Sequence, residues 1–332
     1  DRLTSSRRPP LAAQAALRPV GCDGVGRVVL WLPMIHIRRA TQQDTERILA
    51  ISAQVWDGND YVPSALADWL VDSSGELLAA EVDGVVASFA YRTWLLPGHA
   101  WLQGIRTDPA YRGRGVGRAL SNALIDRAWR AGAARISLST YFDNTPSIRI
   151  IESLGFERVA SFVFVERTEE APPLPATADP SVAEPPPGEA ARFILASPYL
   201  ATARGWYPFE WLFLPFAARP EAFLERTPYR IGVRSDNGWR SLLCAAPGRE
   251  AGDAAFLSFL DGDPGDFAAL VAKASRDLAT TTWESMVPRR GEDVALALTP
   301  LLELGFKPWQ DGREDVLCYD LAASHRKECS NA

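Results

Sequence analysis

Histidine, cysteine and lysine are scarce in this chain. Its 332 residues include three histidines and four cysteines, and only three of its 35 basic residues are lysine. The cysteines stand far apart and away from the histidines, at Cys22, Cys244, Cys318 and Cys329. That spacing argues against a zinc site and against a disulfide framework. We therefore expect no metal and a reducing, cytoplasmic location.

Long apolar runs and a basic surplus are also missing. The longest apolar run near the start, 28–35, is interrupted by Pro33 and is far shorter than the roughly 20 residues that span a bilayer. No small-residue cleavage site follows it, so we expect no signal peptide. The net charge is −6, and no domain carries the surplus of positive charge that binding to the phosphates of a nucleic acid requires. We expect neither a membrane nor a nucleic acid as a partner.

The remaining composition is that of a soluble globular protein, with 47% hydrophobic and 23% charged residues. Residues 1–33 have no lasting periodicity and predict either a flexible tail or a start assigned too far upstream. The proline-rich segment 168–189 predicts a stiff, extended linker. It separates two blocks of similar size, 34–167 and 190–322, and a short tail, 323–332, ends the chain.

The two blocks resemble each other. Each ends with a helical stretch, a Leu-Gly-Phe stop and a final strand, and the two glycines, Gly155 and Gly305, are 150 residues apart. The predicted hairpin turns Asp83-Gly84 and Asn237-Gly238 are 154 apart. The second copy has therefore lost about four residues between its hairpin and its last helix, in the region where the first copy carries a glycine-rich loop.

The first block alternates strands and helices in an order that predicts a mixed α/β fold. Its most specific segment runs from Ile105 to Leu120, where a strand ends at Thr107 and glycines follow at 113, 115 and 117 before a helix begins. Such a turn presents backbone amides and a helix N-terminus, which together bind phosphate. The spacing fits neither the P-loop, which needs a lysine, nor the dinucleotide fingerprint.

The run Arg112 to Gly117, R-G-R-G-V-G, resembles the acyl-CoA signature of the GCN5-related N-acetyltransferases (GNAT). Asn144 and the stop Leu154-Gly155-Phe156 extend the resemblance. It implies two GNAT-like domains in tandem, each a twisted mixed central sheet flanked by helices. It also implies acetyl-CoA as co-substrate, bound through Ile105, Arg106, Thr107, Arg112, Gly113, Arg114, Gly115, Val116, Gly117, Arg118 and Asn144.

The acid and base of the reaction depart from the pattern of that family. Many members place a tyrosine where this chain has Ile151, and isoleucine cannot donate a proton. Tyr141, at the end of the preceding strand, is our candidate acid, although a packed aromatic side chain at a strand end is the simpler interpretation. The strand before the glycine turn has no carboxylate. His99 is our candidate base, acting through a water, against the alternative of a surface histidine.

Two loop acids, Asp57 and Asp60, lie where the family binds its acceptor and could hold a cationic amine; they could equally form the turn. In the second block, three acids replace the arginines of the glycine turn, at Asp261, Asp263 and Asp266. A phosphate would be repelled there, so we expect a degenerate second copy that no longer binds CoA. Its many aromatic residues suggest either packing or covering of the substrate.

The sequence therefore predicts an acetyl-CoA-dependent N-acetyltransferase that transfers the acetyl group directly to a primary amine. The amine could belong to a small molecule or to a protein. A CoA-binding regulatory protein without turnover is one alternative, motivated by the residue at Ile151. A tandem enzyme that resembles mycothiol synthase is another, although that family keeps its catalytic copy second. The sequence does not identify the acceptor, and a homodimer stays open.

Overall fold

The computed structural model describes residues 34–174, 182–248, 253–288, 298–310, 313 and 315–322. Both predicted tails, 1–33 and 323–332, lie outside these residues. The helices are α1 Thr45–Ser52, α2 Val62–Val71, α3 Val116–Arg130, α4 Thr145–Ser153, α5 Pro187–Ala196, α6 Pro198–Thr202, α7 Pro220–Arg226, α8 Phe267–Asp277 and α9 Leu298–Glu303.

The strands alternate with these helices, which confirms the mixed α/β fold class. They are β1 Ile35–Arg39, β2 Glu76–Val82, β3 Val85–Leu96, β4 His99–Thr107, β5 Arg135–Tyr141, β6 Glu157–Arg167, β7 Val182–Ala183, β8 Trp206–Phe209, β9 Leu212–Pro215, β10 Tyr229–Ser235, β11 Gly238–Ala246, β12 Ala255–Gly262, β13 Trp283–Pro288, β14 Lys307–Pro308 and β15 Val316–Ala322.

Local sequence signals account for the turns of both halves. Asp83 and Gly84 both have positive φ angles, 53° and 79°, as the tight β2–β3 hairpin requires. The two Leu-Gly-Phe stops end α4 and α9 with glycines in the left-handed region, at φ 86° for Gly155 and 85° for Gly305. Residues that carry a Cβ atom rarely adopt that backbone conformation, so glycine is the residue that ends each helix.

The strands form one continuous mixed sheet through both halves of the chain. Its order is β1-β2-β3-β4-β5-β15-β6-β13-β12-β11-β10-β7, with β14 also on β6, and β8 and β9 form a separate hairpin. Strand β15, the last of the second half, pairs antiparallel with β5 of the first. Strand β6, the last of the first half, pairs antiparallel with β13 of the second. Each half therefore completes its sheet with the final strand of the other.

The hydrophobic cores reflect this exchange. Leu317, Tyr319 and Leu321 of β15 are buried in the first-half core under α3 and α4. Val163 and Val165 of β6 are buried in the second-half core. A third core lies between the halves, where the β8–β9 hairpin packs on strands of both. Neither half can therefore bury its own apolar residues without the other.

The predicted linker 168–189 is only partly extended. Its end contains β7, which pairs with β10, and the first turn of α5, which begins at Pro187. Proline suits a first helical turn because the missing N–H would have no helical partner there. The start of the segment is held by Arg167, whose guanidinium donates to the Pro172 carbonyl. The proline count alone did not predict these elements.

A single substitution at the junction of the halves is expected to destabilise both. Phe162 is fully buried, opposite Val316 of β15 on one side and Pro288 of β13 on the other. Phe162→Ala leaves a cavity and should lower the free energy of unfolding by about 3–5 kcal/mol, in one cooperative transition by calorimetry. Leu302→Ala, on the exposed face of α9, is the control. Two resolved transitions, only one of them shifted, would contradict the shared core.

Candidate functional site

A gap between two parallel strands forms the centre of the site. Strands β4 and β5 pair only at their beginnings, where 99–101 lie opposite 135–137. Beyond that point β4 continues for six residues without a β5 partner. Gly104 has a φ of 62° and sits where the pairing of β4 with β3 shifts register, which is a β-bulge. One edge of β4 is therefore open from the bulge to its end.

The backbone amides of Ile105 and Thr107 face this open edge. The Arg106 carbonyl accepts a hydrogen bond from Ser88 Oγ on β3, at 2.6 Å, and the Asp108 N–H donates to the Ala87 carbonyl on the same side. Backbone groups of alternate residues in a strand point to opposite sides. An extended amide chain could therefore pair with Ile105 and Thr107 as an added strand.

The glycine turn follows directly and needs its glycines for two different reasons. Gly113 and Gly115 have φ angles of 73° and 79°, and Gly115 is the N-cap of α3. Gly117 has an ordinary backbone conformation, but a Cβ atom there would lie 3.0 Å from Thr107 Oγ1. The first two glycines shape the turn, and the third lets the start of α3 approach the end of β4.

The turn is anchored on one side and exposed on the other. Asp108 accepts a hydrogen bond from the Ala110 N–H and forms an ion pair with Arg47, which fixes the chain as it leaves β4. Arg114 and Arg118 are exposed and form no ion pair with any residue in the described part of the chain; Arg114 lies over the Tyr111 ring. Amides, a helix N-terminus and exposed arginines therefore converge on one surface, as a phosphate site requires.

The second half repeats the turn without the glycine loop. Asp263-Pro264 matches Asp108-Pro109, and Asp263 likewise accepts from the backbone N–H two residues on. Helix α8 then begins three residues after Pro264, whereas α3 begins seven residues after Pro109. The four missing residues predicted from the repeat spacing are thus those of the loop. At this turn the Asp266 carboxylate accepts hydrogen bonds from Arg240 and Ser241.

A second gap exists in the second half, but side chains fill it. Strands β12 and β13 also pair only at their beginnings, over 255–257 and 283–285. The Tyr199 hydroxyl donates to the Met286 carbonyl just beyond, at 2.7 Å, and Ser197 donates to Asp261 on the facing strand. Helix α6 therefore occupies the place that is open in the first half.

Asn144 is the N-cap of α4, and Ile151 lies within that helix. Asn144 precedes the first turn of the helix, and its side-chain amide donates to Thr140 Oγ1 at the end of β5, at 3.1 Å. This places Asn144 beside the gap. Ile151 is buried in the first-half core, and its apolar side chain has no proton to donate.

Tyr141 ends β5 at the mouth of the gap and belongs to an aromatic wall, which we define as Trp56, Tyr61, Tyr141, Trp211 and Trp309. The Tyr141 ring centroid lies 5.8 Å from Trp56, 5.5 Å from Trp211 and 5.9 Å from Trp309. Burial raises the pKa of the Tyr141 phenol to about 12. The hydroxyl therefore keeps its proton at neutral pH, as a proton donor must.

His99 lies at the other end of the same strands. It is opposite Arg135, six residues and about 20 Å from Tyr141 along β5. Its Nε2 is 2.8 Å from Ser137 Oγ, and Ser137 donates to Asp320. Burial, with the nearby Arg135 charge, lowers the pKa of His99 to about 3. The structure does not bring His99 and Tyr141 together, and it gives the histidine a place in the core between the halves.

The two loop acids, Asp57 and Asp60, lie in and just after a short 3-10 turn. Asp57 belongs to the 3-10 turn Trp56–Gly58, and its side chain lies outside the described part of the structure. The Asp60 carboxylate is buried, receives two hydrogen bonds from Arg106 at 3.0 and 2.9 Å, and accepts a third from Ser52. Its charge is therefore already neutralised. An acceptor amine would have to displace Arg106 to use it.

The same arginine organises the wall. The Arg106 guanidinium lies 4.7 Å from the Trp56 ring centroid and 5.6 Å from that of Tyr61, so that Asp60 holds a cation against two aromatic faces. Sequence reasoning assigned Arg106 to acetyl-CoA binding and did not predict its contacts with Asp60 and the two rings. The W-D-G-N-D-Y run, with its acids between aromatic residues, is the signal that could have indicated this cluster.

A buried acid at the start of β15 was not predicted from the sequence. Asp315 is 1% exposed; its Oδ1 accepts from the Phe164 N–H at 2.7 Å, and its Oδ2 has no hydrogen-bond partner among the described residues. Burial raises the pKa of this carboxyl to about 6, and its charge in turn raises the pKa of the Tyr141 phenol. Asp315 therefore lies near the mouth of the gap although it belongs to the second half.

Comparison with known proteins identifies the family. A family model described as Acetyltransferase (GNAT) family matches residues 41–156. RimI, the N-alpha-acetyltransferase of Mycobacterium tuberculosis, is 31% identical over 129 residues, which are 38% of this chain and 80% of RimI. The chain belongs to the GNAT acetyltransferase family. The resemblance predicted from Arg112–Gly117 is thereby confirmed.

Two further comparisons delimit the similarity. An uncharacterised protein of Mycobacterium leprae is 35% identical over 131 residues, but the chain spans only about a third of that protein, 35% of its length. A tandem GNAT protein from the clavulanic acid biosynthesis pathway has a TM-score of 0.51 at 13% identity, covering 87% of this chain and 99% of that one. The latter similarity establishes the fold, across both halves.

Two absences hold for the described residues alone. None of their helices is long and apolar enough to cross a membrane. Within the same ranges, no group of three or more histidine, cysteine and acidic side chains could hold a metal ion.

Asp315→Asn is expected to stabilise the fold more at high pH than at low pH. The folded state raises the pKa of Asp315 from 3.8 to about 6, so it binds the proton more tightly than the unfolded chain does. The ionised carboxylate therefore weakens the fold, and this penalty appears as the pH rises from about 4 through about 6.

Asparagine keeps an oxygen for the Phe164 N–H and carries no charge. Thermal denaturation should therefore give a Tm difference between Asp315→Asn and the parent chain that grows between about pH 4 and about pH 8. A difference that does not depend on pH would contradict the raised pKa.

Proposed function

We propose that this GNAT chain is an acetyl-CoA-dependent N-acetyltransferase that binds CoA in its first half only and transfers the acetyl group directly to a primary amine. The observation that carries the proposal is the contrast between the two gaps. In the first half the β4 edge is open and leads to a glycine turn with exposed arginines. In the second half Tyr199 fills the gap and the loop is missing.

The residues of the first half fit acetyl-CoA at both of its ends. The amides of the glycine turn, from Gly113 to Arg118, would hold the pyrophosphate, and Arg112 and Arg114 would add charge-assisted contacts. The amides of Ile105 and Thr107 would pair with the pantetheine arm, and Asn144 stands across the gap. Acetyl-CoA supplies the activated acetyl group; the chain supplies position, amide donors and a proton.

Proton transfer is assigned to Tyr141 in this proposal. Its phenol stays protonated at neutral pH and lies at the end of β5, beside the open edge of β4. The acceptor must arrive as, or become, a neutral amine before it can attack. Direct transfer is favoured because Cys244 and Cys318, the cysteines among the described residues, are buried, and burial raises the pKa of each thiol.

The relatives support an amine acceptor without specifying it. RimI of M. tuberculosis carries the name N-alpha-acetyltransferase, which places an α-amino group among the acceptors of this family. Its similarity to this chain covers 38% of the residues, whereas the aromatic wall combines residues of both halves, with Trp211 and Trp309 from the second. The acceptor of this chain therefore cannot be transferred from RimI.

Gly115→Glu is expected to abolish tight acetyl-CoA binding. The substitution adds a negative charge to the amides that would hold the pyrophosphate, and loss of a charge-assisted contact of about 1.5–3 kcal/mol corresponds to roughly 10- to 150-fold in affinity. Gly132→Glu is the matched control, because Gly132 also has a positive φ, 92°, and open space around its Cβ position, but lies at the other end of α3. Isothermal titration that finds equal affinities in two folded variants would overturn the cofactor site.

Tyr141→Phe is expected to lower kcat by about 10²- to 10⁴-fold, with the KM for acetyl-CoA nearly unchanged, because it removes the proton donor and little volume. Tyr61→Phe removes a phenol from the same wall and should leave kcat within a few-fold. The rate of thiol release from acetyl-CoA measures both. Equal rates for Tyr141→Phe and the parent chain would assign the tyrosine to packing and the proton to water.

A further inference from the structure

The aromatic wall is built from both halves of the chain. Trp56, Tyr61 and Tyr141 come from the first half. Trp211 comes from the turn between β8 and β9, and Trp309 follows β14. Trp211 and Trp309 contact each other, with ring centroids 6.0 Å apart, and both pack on Phe164 of the exchanged strand β6.

The wall stands at the mouth of the open gap and reaches both of its borders. Tyr141 is the last residue of β5, the border on one side. Trp56 lies against Arg106, which is on β4, the border on the other. Trp56 and Trp309 are 46% and 45% exposed, which is unusual for tryptophan and leaves ring surface free for a ligand.

The charges around the wall favour a cation. Arg106 is neutralised by Asp60, so it adds no net positive charge at the mouth. Asp315 directly precedes Val316, which lies opposite Tyr141, and its Oδ2 has no hydrogen-bond partner among the described residues. Two other charged residues of this region are Asp143, whose charge also raises the pKa of the Tyr141 phenol, and Arg313, whose guanidinium lies 5.8 Å from the Phe142 ring centroid.

We propose that Trp211, Trp309 and Asp315 complete the acceptor site of the first half, and that this site takes a primary ammonium attached to an aromatic ring. This proposal rests on the proposed acetyltransferase function and names the substrate class. The acceptor ring packs on the exposed faces of Trp309 and Trp56, and its ammonium lies toward Tyr141. Aromatic faces attract a cation as well as a ring, so one wall serves both parts of such a ligand.

Asp315 acts in this site as a positioning residue. It is too buried to touch the acceptor, but its negative charge behind Tyr141 lowers the energy of an ammonium at the mouth, because a charge in a poorly solvated environment is weakly screened. The effect vanishes when the carboxyl is protonated. The KM for the amine should therefore rise as the pH falls through about 6.

The test uses the full chain with saturating acetyl-CoA and two pairs of probes, and it measures thiol release. The free amines are 2-phenylethylamine and ethylamine; the peptides are tripeptide amides that begin with phenylalanine or with alanine. We expect kcat/KM for the aromatic member of at least one pair to exceed that of its partner by roughly tenfold, the value of one aromatic contact. Which pair has the preference distinguishes a free amine from a peptide N-terminus as its source.

Substitutions at Trp309 test whether the second half causes that preference. Trp309→Ala should lower kcat/KM for the aromatic probe roughly tenfold more than for the aliphatic probe, which removes the aromatic preference, and Trp309→Phe should restore part of that preference. Leu302→Ala, an exposed apolar residue of the same half, is the matched control. A preference that survives Trp309→Ala, or aromatic and aliphatic probes that react equally in the parent chain, would overturn the proposal.

Asp315→Asn tests the positioning role through the pH profile. In the parent chain the KM for the amine should rise several-fold between pH 7.5 and pH 5.5, whereas in Asp315→Asn it should be high at both values, since no charge remains to titrate. A KM for the amine that changes with pH to the same extent in the parent chain and in Asp315→Asn would overturn the positioning role of Asp315. Acetyl transfer without aromatic preference defeats this inference and leaves the proposed function intact, whereas failure to bind acetyl-CoA or to acetylate any probe defeats both.

Discussion

The exchange of final strands between the halves is the constraint on which the rest of the structure depends. Strand β15 occupies the free edge of β5 and β6 occupies the free edge of β13. Because β15 holds β5 along its whole length, β5 needs no partner on its other side beyond its first three residues. The gap that receives the cofactor in our proposal can therefore stay open without loosening the sheet.

The same constraint brings second-half residues to a first-half site. Asp315 immediately precedes β15, and Trp309 leaves β14 beside β6, so both arrive at the mouth of the gap because the final strands cross over. The β8–β9 hairpin packs in the core between the halves, which delivers Trp211 to Tyr141. A second copy that has lost its own glycine loop thus still shapes the surroundings of the first.

The elements of the first half could be predicted because their signals are local. The Leu-Gly-Phe stop predicts a helical stretch that ends before Gly155, and α4 ends at Ser153. The glycines at 113 and 115 indicate the turn that their positive φ angles require. The exchange could not be predicted, since the pairing of Val316 with Tyr141 joins residues 175 positions apart, and either final strand would satisfy the apolar pattern of either sheet. The wall and Asp315 were missed for the same reason.

Individual site residues were harder to predict than the fold, because residue type does not reveal which partner a side chain has. Asp60 has the composition of an amine ligand, but Arg106 and Ser52 use its oxygens. His99 has the right chemistry for a base, but its burial with Ser137 keeps it neutral. In both cases a long-range contact determines the chemistry, and the glycine turn escapes this problem because its groups belong to the backbone.

The filled gap of the second half has a consequence for how such a chain can evolve. Once a duplicated gene has exchanged its terminal strands, neither copy can be deleted, because each deletion removes the middle of the surviving sheet. Selection for catalysis can then lapse in one copy while selection for foldability continues to act on it. Tyr199 lies where a cofactor arm would pair, and a residue of this kind is tolerated once catalysis is no longer selected in that copy. Its side chain fills the cleft with packed atoms, so that the second copy supports the fold and no longer offers a binding site.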